Sequence, residues 1–407
     1  MGQIIKKIGL IIDYCFLAFV IIWSGSSVAY GTFNIWPYVM TIVAGIVSLW
    51  TGVKFDKNTW LVIGLFAIVT LAQMVKFGGG ITSIASPILG IVAIALIANI
   101  IRSDFSQIFI RIVAFFAIIS LVFWFIDLFP DGHYKLLEIG KKLPQLGAEN
   151  FEKNEDCAWN IYQHYTLYFY NVCEVTNDDI YQWVRNSGPF YEPGRFTIVL
   201  TLAMAIILFN NDFHKNKFLF FVVFAANIST FSTTGYLAMF VLFVCFFLPR
   251  YRATPIRFII ITILLVIVSY YVFQTDFVRE KLATEMENYD IANSRFGAMI
   301  YHWDQIVKSP IIGFGNYLGS ALGATELSPC GVTEMMRHWG IPLFVFCVFQ
   351  IYLSAKSLLN NNIFFSISFT LIMLILAYSQ TIMSAPLYYL FYLLGGKTNL
   401  NNDGKKI

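Results

Sequence analysis

Residues 105–129, FSQIFIRIVAFFAIISLVFWFIDLF, decide how this chain is read. The run carries only two charges, Arg111 on its early side and Asp127 near its end. About 20 mostly apolar residues are enough to cross the hydrocarbon core of a bilayer. The stretch is therefore read as a membrane span, and it has company. Similar runs occupy 8–28, 35–53, 60–75, 81–101, 196–210, 218–231, 234–248, 258–274, 340–357 and 363–385. A shorter run, 386–396, follows Ala385 and begins at Pro386. It is either a tilted twelfth span or a re-entrant hairpin, and Lys397, Lys405 and Lys406 behind it favour crossing. The expected fold class is an all-α polytopic membrane protein with about 11–12 transmembrane helices. Composition agrees: 13% of residues are charged, against about 25% in soluble domains.

The polar residues gather in two long loops, 131–195 and 275–339. These hold 18 of the 24 acidic residues but only 11 of the 27 basic ones. Most of the remaining Lys and Arg lie in short turns, at Lys54 and Lys57, Arg102, Lys215 and Lys217, Arg250, Arg252 and Arg257, and Lys356. Short loops rich in Lys and Arg stay in the cytoplasm. The N-terminus is then cytoplasmic and both long loops face outward. Lys6 and Lys7 precede a first apolar run without a convincing cleavage site, so that run reads as a retained span. The expected layout is N-terminal spans (1–130), a first outer loop (131–195), central spans (196–274), a second outer loop (275–339), and C-terminal spans with a cytoplasmic tail (340–407). Charge concentrated at one face suits a protein that acts on something there. It does not suit a transporter or lipid-oligosaccharide flippase, which needs a polar path through the bilayer and often shows a two-halves repeat.

The first loop is rich in rings: Trp159, Tyr162, Tyr165, Tyr168, Tyr170, Tyr181 and Trp183. They fit a sugar-stacking surface, or an aromatic belt at the headgroup level. Cys157 and Cys173 share this loop. A disulfide between them and a pair of free thiols are both compatible with an outer-face location. In the second loop Phe296, Met299, Ile300, Trp303, Ile306 and Val307 form one stripe of an amphipathic helix. Arg295 and His302, seven residues apart, share the neighbouring face.

Residues 187–196, SGPFYEPGRF, are the densest candidate for chemistry. Glu192 and Arg195 lie three residues apart at the start of a span, where charges are costly unless paired or functional. The plainer reading is an ion pair that starts a helix at Pro193. No His, Cys, Asp or Glu cluster has metal-ligand spacing, so neither a metal nor another cofactor is expected.

The pattern Gly-x-Phe-x-Glu-Pro, here Gly188 to Pro193, resembles the bacterial O-antigen polymerase/ligase superfamily. Three further stretches agree. Residues 230–236, TFSTTGY, resemble a hydroxyl-rich turn of that family. Asn293-Ser294-Arg295, Trp303 and the Pro310-Ile311-Ile312-Gly313-Phe314-Gly315 stretch resemble its second loop. Residues 334–342, EMMRHWGIP, resemble its helix returning to the membrane. The resemblance implies an architecture like that of the GT-C glycosyltransferases. It implies an undecaprenyl-diphosphate-linked oligosaccharide as substrate, at the outer face of the inner membrane. A flippase and a chain-length regulator of the same pathway would be partners; nucleic acid would not. Ligases of the family carry a His where this chain reads Ser328-Pro329-Cys330-Gly331, and His338 lies too close to Gly340 to match it. This favours a polymerase, with the ligase and the flippase as alternatives. Arginine forks match diphosphate oxygens, which makes Arg195, Arg295 and Arg337 the expected diphosphate ligands, with Arg185 and Arg279 behind them. Glu192 is the first candidate for general base and His302 the second. Tyr191 and His338 are further site candidates.

Overall fold

In the computed structural model the described residues are 2–30, 35–78, 80–101, 105–145, 161–175, 184–210, 212–251, 295–322 and 330–395. The span expected over 258–274 and Arg279 lie outside them, as do Cys157, Trp159, Tyr181 and Trp183. The side chains of Tyr162, Cys173 and Arg295 do as well.

The chain is an all-α membrane protein whose helices follow the apolar runs closely. In order they are α1 (Gly2–Trp23), α2 (Ser27–Tyr30), α3 (Trp36–Thr51), α4 (Lys57–Phe77), α5 (Ile81–Ile100), α6 (Phe105–Asp127), α7 (Pro130–Lys142), α8 (Pro193–Phe209), α9 (Lys217–Ser229), α10 (Thr233–Tyr251), α11 (Arg295–Ile306), α12 (Leu318–Leu322), α13 (Gly331–Trp339), α14 (Ile341–Leu358), α15 (Ile363–Tyr378) and α16 (Pro386–Leu394). By length and composition α4, α6 and α14 qualify as membrane-crossing helices, and shorter apolar helices pack beside them. Local chemistry sets the ends. The Asp56 carboxylate accepts from the Thr59 N–H (2.6 Å) at the start of α4. Asn362 caps α15 in the same way through Phe365. Prolines occupy the first turn of α3, α7, α8, α14 and α16.

Two helices are apolar on every side and lie at the centre. Every residue of α8 from Arg195 to Phe209 is buried, and so is nearly all of α16. The outer helices show the reverse pattern. Leu49, Trp50, Ile68 and Val75 project outward from α3 and α4, as a lipid-facing surface requires and a soluble one avoids.

α16 has nine residues, about 13 Å of helix, less than half of a bilayer core. It is packed inside the bundle. The Phe391 carbonyl accepts a hydrogen bond from Ser354 on α14, and Gly395 abuts Leu353 and Gln350. Residues 386–394 of this run thus form a buried half-helix, preceded by an irregular segment, 379–385. Irregular backbone among spanning helices is tolerated where it is buried in protein or lines a cavity.

Part of the first long loop has structure of its own. α7 carries a β-hairpin, β1 (Ile161–Thr166) with β2 (Asn171–Val175), antiparallel and irregular near Ile161. Its anchor is Asp127 at the end of α6. One carboxylate oxygen meets His133 Nδ1 at 2.8 Å, and the other accepts from the Tyr170 hydroxyl at 2.7 Å. All three groups are buried. Tyr170 therefore belongs to the loop's core. The Tyr168 hydroxyl donates to the Pro144 carbonyl, and Tyr165 lies under Lys141. These three rings hold the loop together, which corrects their reading as an open sugar-stacking face.

The second loop is pinned to the end of α4. Gln73, a buried polar residue in an apolar helix, donates to the carbonyls of Ile312 (2.5 Å) and His338 (2.8 Å). Lys76 donates to Ser309 Oγ (3.0 Å). On α11 the apolar stripe is split. Ile306 is buried with His302 and Gln305, while Met299, Ile300, Trp303 and Val307 face outward.

Candidate functional site

Several helix ends and the second long loop surround a cavity of about 850 Å³. Its walls come from Trp23 at the end of α1 and Ser24 just after it, Pro37 at the start of α3, Pro87 inside α5, Tyr191 and Arg195, the second loop (Asn316, Glu334, His338) and the segment before α16 (Thr381, Ser384). The basic turn residues Lys57 and Lys217 lie at the opposite ends of their helices.

Arg195 is the central charge. Sequence reading puts it just before a span, but α8 begins at Pro193, so Arg195 sits within the first helical turn and is 8% exposed. Close approach by the turn that follows α1 makes this possible. A Cβ on Gly25 would lie 2.6 Å from Arg195 Cδ, so only glycine leaves room for the side chain. The guanidinium donates from Nη1 to the Ser24 carbonyl (3.3 Å) and from Nη2 to Thr381 Oγ1 (3.2 Å). It lies over the Tyr191 ring at 4.4 Å. Its Nε is buried and has no hydrogen-bond partner among the described residues. No Glu192–Arg195 ion pair forms there either. Glu192 contributes its carbonyl, which accepts from the Arg195 N–H (3.0 Å), while its exposed side chain turns to a separate small pocket shared with Arg185.

The half-helix adds to this charge. α16 starts at the cavity wall, where Leu387 N–H donates to Ser24 Oγ (2.7 Å). A helix N-terminus carries a partial positive charge, so it and Arg195 raise the potential of the same space.

The other expected residues are distributed as follows. His338 and Glu334 line the cavity from α13. Arg337 faces away from it, 1% exposed, with its guanidinium donating to Gln305 Oε1 (3.0 Å) and paired with Glu334. It is therefore not among the residues that line the cavity, as Glu334 is. His302 is buried on α11, on the side near Arg337. Arg185 donates from Nε to the Thr230 carbonyl (3.1 Å). Arg295 opens α11, with its side chain outside the described residues. Sequence reading missed Ser24, Gln73 and Thr381. Gln73 had a legible signal, a lone amide in an apolar span. Ser24 and Thr381 had none, because ordinary hydroxyl residues near helix ends are common.

Burial, and then the nearby Arg337 charge, push His302 down to about 4, and the same causes act on His338. An unfolded histidine titrates near 6.5. Between about pH 6.5 and 4 the unfolded chain therefore binds protons that the folded one refuses. The stabilisation is complete above pH 6.5 and is lost as pH falls toward 4. Thermal unfolding in detergent should show the midpoint dropping across that window. His302→Gln should flatten the drop; an unchanged slope would count against this placement of His302.

These features describe a polytopic α-helical membrane protein with a cavity, lined by both Arg195 and Glu334, under a docked second loop. Residues 218–329 match the family described as O-antigen ligase. That match bears out the resemblance to the O-antigen polymerase/ligase superfamily carried by residues 230–236 and 293–315, both inside the matched stretch. No curated protein matches the chain.

Proposed function

We propose that this protein is a polysaccharide polymerase of the bacterial inner membrane. It transfers a growing glycan from undecaprenyl diphosphate to the terminal sugar of another lipid-linked repeat unit on the outer face. The observation that carries the reading is Arg195, a buried guanidinium with an unsatisfied Nε at the wall of a cavity large enough for a diphosphate and its first sugar. A buried charge of this kind is costly until a counter-ion arrives. The excess of Lys and Arg in the turns at the far end of the bundle supports an outward-facing cavity.

In the proposed reaction an acceptor hydroxyl oxygen forms a bond to the anomeric carbon of the donor. The bond from that carbon to the diphosphate oxygen breaks, and the electron pair leaves on the lipid diphosphate. Arg195 and the α16 N-terminus stabilise the charge that develops there; Arg295 would approach from the second loop. The hydroxyl proton passes to Glu192. Arg337 acts as a positioning residue for Glu334. In this scheme the arginines supply the positive charge that a divalent ion supplies elsewhere.

One observation favours the ligase alternative: His338 lines the cavity, although its spacing from Gly340 departs from the ligase pattern. The glycan profile of a strain lacking this protein separates the readings. The polymerase predicts single repeats on the lipid carrier. Polymer stranded on its carrier would make it a ligase. Loss of outer-face intermediates would make it a flippase.

A further inference from the structure

The small pocket beside Glu192 has a volume of about 100 Å³ and lies next to the first turn of α8. Glu192, Arg185, Ser232, Thr233, Thr234 and Gln380 line it. The hydroxyl-rich turn is fixed in place from behind. The Thr230 hydroxyl donates to the Asn227 carbonyl (2.7 Å), and Ser232 Oγ accepts from the Gly235 N–H (3.2 Å). Asn227 is itself bonded to Thr197 and Thr201 of α8. Gly235 lets α10 start directly against α8, since a Cβ there would lie 2.2 Å from Thr197 Oγ1. The Asn186 N–H ties the first loop to the same turn through the Ser229 carbonyl (2.9 Å). Thr233 and Thr234 take no part in this support. Their hydroxyls make no hydrogen bond among the described residues and are free for a ligand.

The lining selects the ligand's charge. A bound anion would meet Glu192, and a bound cation would meet Arg185. A neutral polyol satisfies both, because each sugar hydroxyl donates one hydrogen bond and accepts up to two. The volume suits one edge of a sugar ring, not a lipid diphosphate. The partition from the main cavity is thin. Gly194 packs on the Gln380 amide, 2.5 Å from where its Cβ would be. The next residue on each segment, Arg195 and Thr381, lines the main cavity.

We propose that this pocket holds the acceptor: it takes the ring hydroxyls of the acceptor glycan's terminal sugar and presents one of them to Glu192. The assignment rests on the main cavity being the donor diphosphate site. The test uses purified full-length protein in nanodiscs, with its lipid-linked repeat unit as donor. The acceptor probe is the repeat-unit oligosaccharide on a short alkyl chain. Thr233→Val and Thr234→Val each remove one hydroxyl and little volume, and unfolding midpoints check that both proteins fold. Each is expected to raise the acceptor KM by about tenfold, with the donor KM changed less than twofold. Arg195→Ala in the same assay tests the donor site. If it retains normal turnover, the reading of the main cavity fails and the acceptor assignment falls with it. If it slows turnover while both threonine variants leave the acceptor KM unchanged, or raise both KM values equally, the acceptor assignment alone is overturned.

Discussion

Alanine at Arg195 is expected to reduce glycan transfer by roughly a hundredfold to a thousandfold, the usual effect of deleting one preorganised donor to a charge that develops in the transition state. The guanidinium spends its resting hydrogen bonds on one carbonyl and one hydroxyl. No carboxylate pairs with it among the described residues, and its Nε has no partner there. An arriving diphosphate would complete the shell in the two-point geometry that a guanidinium offers and an ammonium does not. Arg195→Lys should therefore recover only a small part of the rate. The effect should be on transfer and not on folding, because removing a buried, incompletely satisfied charge relieves a cost in the empty protein. Transfer assays and thermal unfolding of the same preparations check both halves. Near-normal transfer by Arg195→Ala would remove this residue from the active site.

The second large effect is expected at Gly340. It joins α13 to α14 with φ +82° and ψ 161°, a conformation essentially restricted to glycine that costs other residues about 1–3 kcal/mol. A Cβ there would also lie 2.2 Å from the Ile311 carbonyl oxygen. That contact sits where the second loop is sewn to the bundle. Ile341 N–H donates to the Pro310 carbonyl (2.8 Å), and Phe314 N–H donates to the Arg337 carbonyl (2.9 Å). Gly340→Ala should push the 310–315 turn off its seat, strip Gln73 of its carbonyl partners and displace the cavity-lining residues of α13. A lower unfolding midpoint and more than a tenfold loss of transfer are expected. Gly45, with open space where its Cβ would be, is the control: alanine there should be neutral or mildly stabilising. Equal midpoints for Gly340→Ala and the parent protein would refute the account.

The resemblance stated from sequence motifs and the matched family agree, and the reason is chemical. A glycine in a tight loop seat, a proline at a first turn and an arginine at a helix start are legible singly. The half-helix at 386–394 was harder to read. Its short apolar run fits a crossing segment or a hairpin, the lysines behind it favour crossing, and only packing on all sides distinguishes a buried helix from one that faces lipid.

Apolar run length by itself determined the class and placed most of the described long helices to within about three residues, because lipid rewards length and hydrophobicity whatever the neighbours are; it missed the ends of α1 (8–28 against Gly2–Trp23) and the end of α15 (385 against Tyr378). α6 was expected over 105–129 and spans Phe105–Asp127; α9 was expected over 218–231 and spans Lys217–Ser229. At α8 that reasoning stopped short. A charge is assumed to stay outside the apolar region, which puts Arg195 before the helix, whereas Ser24 and Gly25 in the turn after α1, 170 or so positions away, make a buried seat for it. The same holds for the pairing of Arg337 with Glu334 and Gln305, the burial of Tyr170 on Asp127, and the side of the α8 turn that Glu192 faces. Each depends on partners distant in sequence, and a side chain's role follows from what it touches, which only the tertiary structure decided.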